Sequence, residues 1–175
     1  MATRLPSFRP LPEDRINKMN LDNVSVSVQQ QDFDVSAELR RLRDQSAQVG
    51  AVASFVGVVR DINDSQTVSV LELEHYPGMT EQSIADIIIM AGERWQLVGA
   101  RVIHRVGKLL PTDQIVLVAV TSRHRGDAFA ACEFIMDYLK TRAPFWKKEQ
   151  TEEGARWLDA RSADQAAVDR WEQSD

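Results

Sequence analysis

The side chains best suited to polar chemistry are gathered in one stretch. Residues 121–148 carry Arg123, Arg125, Lys140, Arg142, Lys147 and Lys148, against Asp127, Glu133 and Asp137. The whole chain is acidic, with 21 Lys and Arg against 26 Asp and Glu and a net charge of −5. One basic segment in an acidic chain reads as a site for a small anion or an acidic partner; the other reading is a solvated cationic face. Within the segment, Ser122-Arg123-His124-Arg125-Gly126-Asp127 follows an apolar run and precedes a helical one. Free amides at a helix start, a glycine and basic side chains together suit a phosphate group. The same residues are equally explained if Asp127 caps the helix and the cations face water.

Two lysines further on are placed unusually. Phe129, Cys132 and Met136 precede Lys140 by 11, 8 and 4 residues, so Lys140 extends their helical face. The spacing predicts a partly desolvated amine there, a setting that suits a base, a nucleophile or an acyl acceptor. The competing explanation is a cation near a helix C-terminus that snorkels to water. Lys147 follows Pro144. If 145–149 is extended, Phe145, Lys147 and Glu149 share one face, and Trp146 and Lys148 share the other. Arg60 closes the apolar run 51–59, a common place for a ligand contact beside a rigid scaffold.

Other chemistry has little support. Cys132 is the only cysteine, so neither an intrachain disulfide nor a cysteine zinc site can form. It lies mid-helix on an apolar face and reads as core. His75, His104 and His124 lack metal-ligand spacing, and no glycine-rich nucleotide motif or GxSxG elbow occurs. The overall negative charge argues against a general nucleic-acid binder. No apolar run reaches the ~20 residues of a membrane helix, and the first 20 residues lack a signal-peptide core. A cytoplasmic location is expected.

The elements that must position these residues follow from periodicity. Pro6, Pro10 and Pro12 mark an extended N-terminal arm over 1–22, leaving a single domain over 23–175. Alternation at Val24, Val26 and Val28 predicts a strand. Residues 35–44 read as a helix with Leu39 and Leu42 inward, capped by Asp34 or Ser36. AVASFVGVV (51–59) is apolar on both faces and predicts a buried strand. A polar turn at Asn63-Asp64-Ser65 leads to a strand over 67–75, with Leu71 and Leu73 opposite Glu72 and Glu74. Pro77-Gly78 ends it. A helix capped by Thr80 then runs to about Leu97, with Ile84, Ile87, Ile88, Ala91 and Trp95 on its apolar face. Strands over 100–106 and 114–121 flank a turn at 110–113. A second long helix covers 126–140, extended chain covers 145–149, Gly154 marks a turn, and 162–173 form a last helix capped by Ser162. Hairpin-like strands mixed with two long helices predict an α+β fold with a mainly antiparallel sheet.

Gly50–Arg60 (GAVASFVGVVR), Leu71–Glu81 (LELEHYPGMTE), Ser122–Arg125 (SRHR) and Phe134–Glu149 (FIMDYLKTRAPFWKKE) closely resemble the large, catalytic subunit of molybdopterin synthase. The resemblance covers about residues 23–173. It implies an α/β-hammerhead fold with an additional antiparallel β subdomain. It implies sulfur transfer in molybdenum-cofactor biosynthesis, from a small ubiquitin-like subunit with a thiocarboxylated Gly-Gly C-terminus to cyclic pyranopterin monophosphate (precursor Z). The implied assembly is a heterotetramer built on a homodimer of this chain, with no metal or redox cofactor, no nucleic acid and no membrane.

Carried over by position, Lys140 and Lys147 match the family's two essential lysines, and His124 and Arg125 match its pterin-phosphate contacts. Val58, Val59 and Arg60, with Lys147, Lys148 and Glu149, match its other substrate-binding stretches. Some relatives have lysine where this chain has Val58, so only the backbone of Val58 can contribute. Arg156 and Arg161 are further candidates acting across the dimer. The expectation is one basic pocket holding phosphate and acidic tail together. A module that binds a phosphorylated ligand without turnover, or an adaptor for an acidic peptide tail, would use the same residues.

Overall fold

The computed structural model describes residues 20–63, 66–151, 154–158 and 162–172. The elements are β1 (Val24–Gln29), α1 (Val35–Arg43), β2 (Ala51–Val58), β3 (Ile62–Asn63), β4 (Gln66–His75), α2 (Met79–Arg94) and β5 (Leu97–Arg105). They continue with β6 (Gly107–Leu109), β7 (Gln114–Ser122), α3 (Arg125–Arg142), β8 (Phe145–Thr151), β9 (Gly154–Leu158) and α4 (Ser162–Glu172). Leu21 and Asp22, placed in the arm by sequence, belong to a short 3-10 turn ahead of β1. Residues 1–19, with the three prolines of the arm, lie outside the described residues, as do 64–65 of the 63–65 turn.

Two sheets carry the fold. The first has the order β1-β5-β7-β2, with β1 parallel to β5 and the other pairs antiparallel. The second has the order β3-β4-β8-β9 with β6 also on β4, and every pair is antiparallel. The α+β expectation with an added antiparallel subdomain therefore holds.

β7 is central and buried nearly throughout, because its residues alternate between two apolar layers. Val116, Val118 and Val120 face α2 and α3, packing with Ile84, Ile88, Ala131 and Ile135. Leu117 and Ala119 face α1, packing with Phe33, Leu42 and Ile103. A third cluster of Val59, Leu71, Leu73, Val106 and Leu109 lies between the two sheets. Leu73 and Leu109 are essentially inaccessible, and removing one such leucine side chain costs ~2–5 kcal/mol.

Three expectations are corrected. The run 51–59 is apolar on both faces, yet β2 is an edge strand and Val52, Phe55 and Val58 are exposed. Composition alone does not separate a central strand from an apolar edge. Helix α2 is capped by Gly78, at φ +83°, whose N–H donates to the Glu81 carboxylate at 2.7 Å, and not by Thr80. The buried Thr80 hydroxyl accepts from Tyr76 N at 3.2 Å and donates to Pro144 O at 3.3 Å. It ties the start of α2 to the turn between α3 and β8. That helix also ends at Arg94, with Trp95 as its C-cap, earlier than its apolar stripe suggests. The Asp34 cap is as expected, its carboxylate accepting from Ala37 N at 3.0 Å. Whatever caps α4 lies outside the described side chains.

Candidate active site

Helix α3 spaces the candidate residues. Its start is set by β7, whose last residue, Ser122, donates through Oγ to Gln96 O at 2.7 Å and accepts from His124 N at 3.3 Å. Gly50 supports the same corner, since its N–H donates to Ser122 O at 3.0 Å and any Cβ on it would collide with the Arg123 carbonyl. His124 is the N-cap and makes no side-chain cap bond; Arg125 opens the helix, and both side chains are exposed. Asp127 does not cap α3 either; its carboxylate accepts from Gln96 N at 3.3 Å. Arg123 is turned to Gln48, donating from Nη2 at 2.8 Å. It lines a cleft of about 510 Å³ with Asn20, Asn23 and Gln96, which neither lysine reaches.

Lys140 lies in the last turn of α3. Its side chain is 48% exposed and its Nζ is 3.7 Å from Asp164 Oδ1 on α4. The desolvation predicted from its stripe is not met. Cys132 and Met136 are buried, but Phe129 at the head of the stripe is 67% exposed. The stripe therefore turns out of the core at both ends. Arg142, two residues on, donates to Glu172 at 2.8 Å and sits over the Tyr138 ring.

β8 begins directly after Pro144 and is extended, as predicted. Phe145, Lys147 and Glu149 share a face with His75, Leu73 and Leu71, their register partners on β4. Glu149 is buried on that face and Lys147 remains exposed. Lys148 points the other way and lies over the Trp157 ring, 5.4 Å from its centroid. Arg156 stands opposite Glu149 in the β8–β9 register, its side chain outside the described set, and Arg161 lies wholly outside it.

Val58 ends β2 past a bulge and is 49% exposed. Val59 is different: its side chain is in the core, its N–H donates to Asp113 O at 2.9 Å and its carbonyl accepts from Thr112 N at 2.8 Å. Its side chain and backbone anchor the strand end, and Arg60 is the exposed residue that follows.

The candidates do not converge within one chain. At 1.5 Å per residue, Arg125 and Lys140 are separated by about 22 Å along α3. His124 and Arg125 sit at one end, while Lys140 and the turn into β8 lie at the other. Within one chain, therefore, the two groups of cations lie at opposite ends of α3. Sequence reasoning also missed the neighbours of the lysines. Asp164 carried no signal because its helix contacts α3 only through tertiary packing. His104, on which Lys147 and His75 both act electrostatically, carries no metal-ligand spacing and so gave no sequence signal. His104 is buried, and desolvation pushes its imidazole down to about 4. Cys132, core as expected, has its thiol pushed up to about 11 by burial.

Among the described residues, no cluster of three His, Cys, Asp or Glu side chains is arranged to hold a metal ion. None of the described helices is long and apolar enough to cross a membrane.

A family model described as MoaE protein matches residues 28–142, which includes α3 but stops before β8. The molybdopterin synthase catalytic subunit of Ralstonia nicotianae is 65% identical over 147 residues, 84% of each chain. A solved molybdopterin biosynthesis MoaE protein from Burkholderia ambifaria is 55% identical with a TM-score of 0.75, covering 85% of this chain and 98% of that one. A solved molybdopterin synthase from Staphylococcus aureus is 32% identical with a TM-score of 0.69, covering 76% and 96%.

Proposed function

The chain belongs to the MoaE family of molybdopterin synthase catalytic subunits, and we propose that it carries out that enzyme's sulfur transfer with Lys140 and Lys147 as its working cations. The sulfur arrives as the thiocarboxylate at the Gly-Gly C-terminus of a small ubiquitin-like subunit. Its acceptor is cyclic pyranopterin monophosphate, and the product is the dithiolene of molybdopterin. Both reactants are anionic at the reacting end, and the basic segment of an otherwise acidic chain supplies the opposite charge.

Lys140 and Lys147 lie seven residues apart on either side of the α3–β8 turn. Placed there, the two ammonium groups stabilise negative charge developing on the thiocarboxylate carbonyl and on the leaving oxygens. A proton shuttled by Lys140, or an acyl group transiently carried on it, would use the same placement. Arg60, Val58, Lys148 and Glu149 complete the surroundings, with Val59 holding the Arg60 corner to the core.

His124 and Arg125 take the phosphate through a charge-assisted contact beside the α3 N-terminus. Because they lie about 22 Å along α3 from Lys140, farther than a pterin monophosphate spans, the phosphate contacts of one site come from a second copy of the chain. The homodimer is then part of the catalytic unit, with two equivalent composite sites related by symmetry. The separation along α3 is the observation that carries this reading. The cytoplasm, where thiols stay reduced, is the proposed location.

The test is reconstitution. The chain, the pyranopterin and a thiocarboxylated small subunit are mixed and the dithiolene is assayed. Product from the unmodified chain and none from Lys147→Ala supports the reading. Binding of both reactants with no product from the unmodified chain would leave only a binding module.

A further inference from the structure

Lys147 stands on a strand whose start is held by an unusual contact. The His104 ring lies against Phe145 with centroids 3.8 Å apart and planes 20° from parallel. His104 is in the middle of the first sheet, paired with Val28 on β1 and Val116 on β7. Phe145 is the first residue of β8 in the second sheet, opposite His75 on β4. The stack therefore joins the two sheets at one point, two residues before Lys147 and on the same strand face.

We propose that His104 is a positioning residue for Lys147, its flat ring seating the start of β8 against the first sheet so that the lysine is held at a fixed height and angle. This inference rests on the reading of Lys147 as a working cation.

Three features fit the role. His104 is only 8% exposed, so its ring has little freedom to swing. Its Nδ1 is 2.9 Å from the Arg105 carbonyl. A carbonyl only accepts, so Nδ1 carries the proton and donates, which fixes the ring's rotation. Burial keeps the ring uncharged, with Lys147 on β8 and His75 on β4 as the ionisable groups that act on it. His75 in turn lies 3.8 Å from Glu81 on α2. A neutral flat ring presents no like charge to the exposed lysine two residues along the strand. Small displacements matter here, because an error of about 1 Å in a catalytic group can cost about a hundredfold in rate.

The experiment compares single-turnover dithiolene formation in the full complex for His104→Phe, His104→Ala, Phe145→Leu and the His104→Ala/Phe145→Leu double variant. Turnover is measured over a range of pyranopterin concentrations beside a thermal melt. A ring without nitrogens keeps the stack, so His104→Phe is expected within about threefold of the unmodified rate. His104→Ala is expected to lose about tenfold or more at saturation, with the half-saturating concentration moved less than about threefold. Because both single changes break one stack, the double variant is expected to fall no further than the worse of them. Should His104→Ala not fold, His104→Leu fills the volume without a flat face and carries the same expected loss.

A rate for His104→Phe as low as that of His104→Ala would overturn the proposal by making a ring nitrogen part of the chemistry. An unmodified rate in His104→Ala, or multiplicative losses in the double variant, would overturn it too. Lys147→Ala runs beside the series. Full turnover there removes the reading of Lys147 itself, whereas loss there with an unaffected His104 series removes only the positioning role.

Discussion

Lowering the pH should cost the folded chain stability through His104. Its imidazole ionises at about 4 in the folded chain against 6.5 for a free histidine, because burial disfavours the charged ring. The unfolded chain therefore takes up this proton first as the pH falls. Stability from keeping the ring neutral is complete above its unfolded value and declines as the pH falls from 6.5 toward 4. Between about pH 7.5 and about pH 5 the loss integrates to about 2 kcal/mol. His104→Phe has no such proton to bind. Urea unfolding at the two pH values, for the unmodified chain and for His104→Phe, isolates the contribution as a difference of differences. The unmodified chain should lose about 2 kcal/mol more than the variant across that window. Parallel losses in the two proteins would show that His104 is solvated or already paired when charged, and would refute the reasoning.

The lysines and the cysteine give three further expectations. Lys140 is about half exposed and its ion pair is long, so Lys140→Ala should cost less than about 1 kcal/mol in a thermal melt while turnover falls by about two orders of magnitude or more. Lys140→Arg separates roles: near-normal single-turnover rates leave electrostatic stabilisation alone, and loss points to proton transfer or acyl capture. Arg125→Ala should weaken pyranopterin binding by about 1.5–3 kcal/mol and leave binding of the small subunit nearly unchanged, as read by calorimetry with each ligand separately. Cys132 is buried with its thiol pushed up to about 11. Alkylation at neutral pH should be slow until the chain unfolds, and Cys132→Ala should retain sulfur transfer.

Much of the frame was legible from periodicity. The unbroken apolar run in 114–121 announces a strand buried on both faces, and Leu71 and Leu73 announce the buried face of β4. The chain break at Pro144 correctly separates α3 from β8, and so sets Lys147 and Lys148 on opposite faces. The edge position of β2 was not legible, because partner strands are chosen by tertiary packing and an apolar edge has the composition of a core strand. The exposure of Lys140 was hidden for a related reason. Helical spacing gives a face, but at Phe129 that face has already left the core. The candidate site was legible as residue types, but not in how one chain spaces them. The basic segment groups His124, Arg125 and the two lysines in sequence, whereas the rigid length of α3 holds the two pairs apart within one chain. The stack of His104 on Phe145 joins residues 41 positions apart in sequence through two sheets, and no local pattern encodes it.

Complementation tests the two-copy site most directly. At pyranopterin concentrations well below saturation, Lys140→Ala forms little product because turnover is lost and Arg125→Ala because the substrate is not held. The two purified variants are mixed in equal amounts, allowed to exchange subunits, and assayed with pyranopterin and thiocarboxylated small subunit. A mixed dimer has one site lacking both residues and one site with both intact. Random exchange should therefore restore about a quarter of the unmodified number of working sites. If Lys140 and Arg125 serve the same site from one chain, no mixed dimer contains an intact site, and activity that stays at the level of the separate variants after verified exchange would contradict the two-copy site.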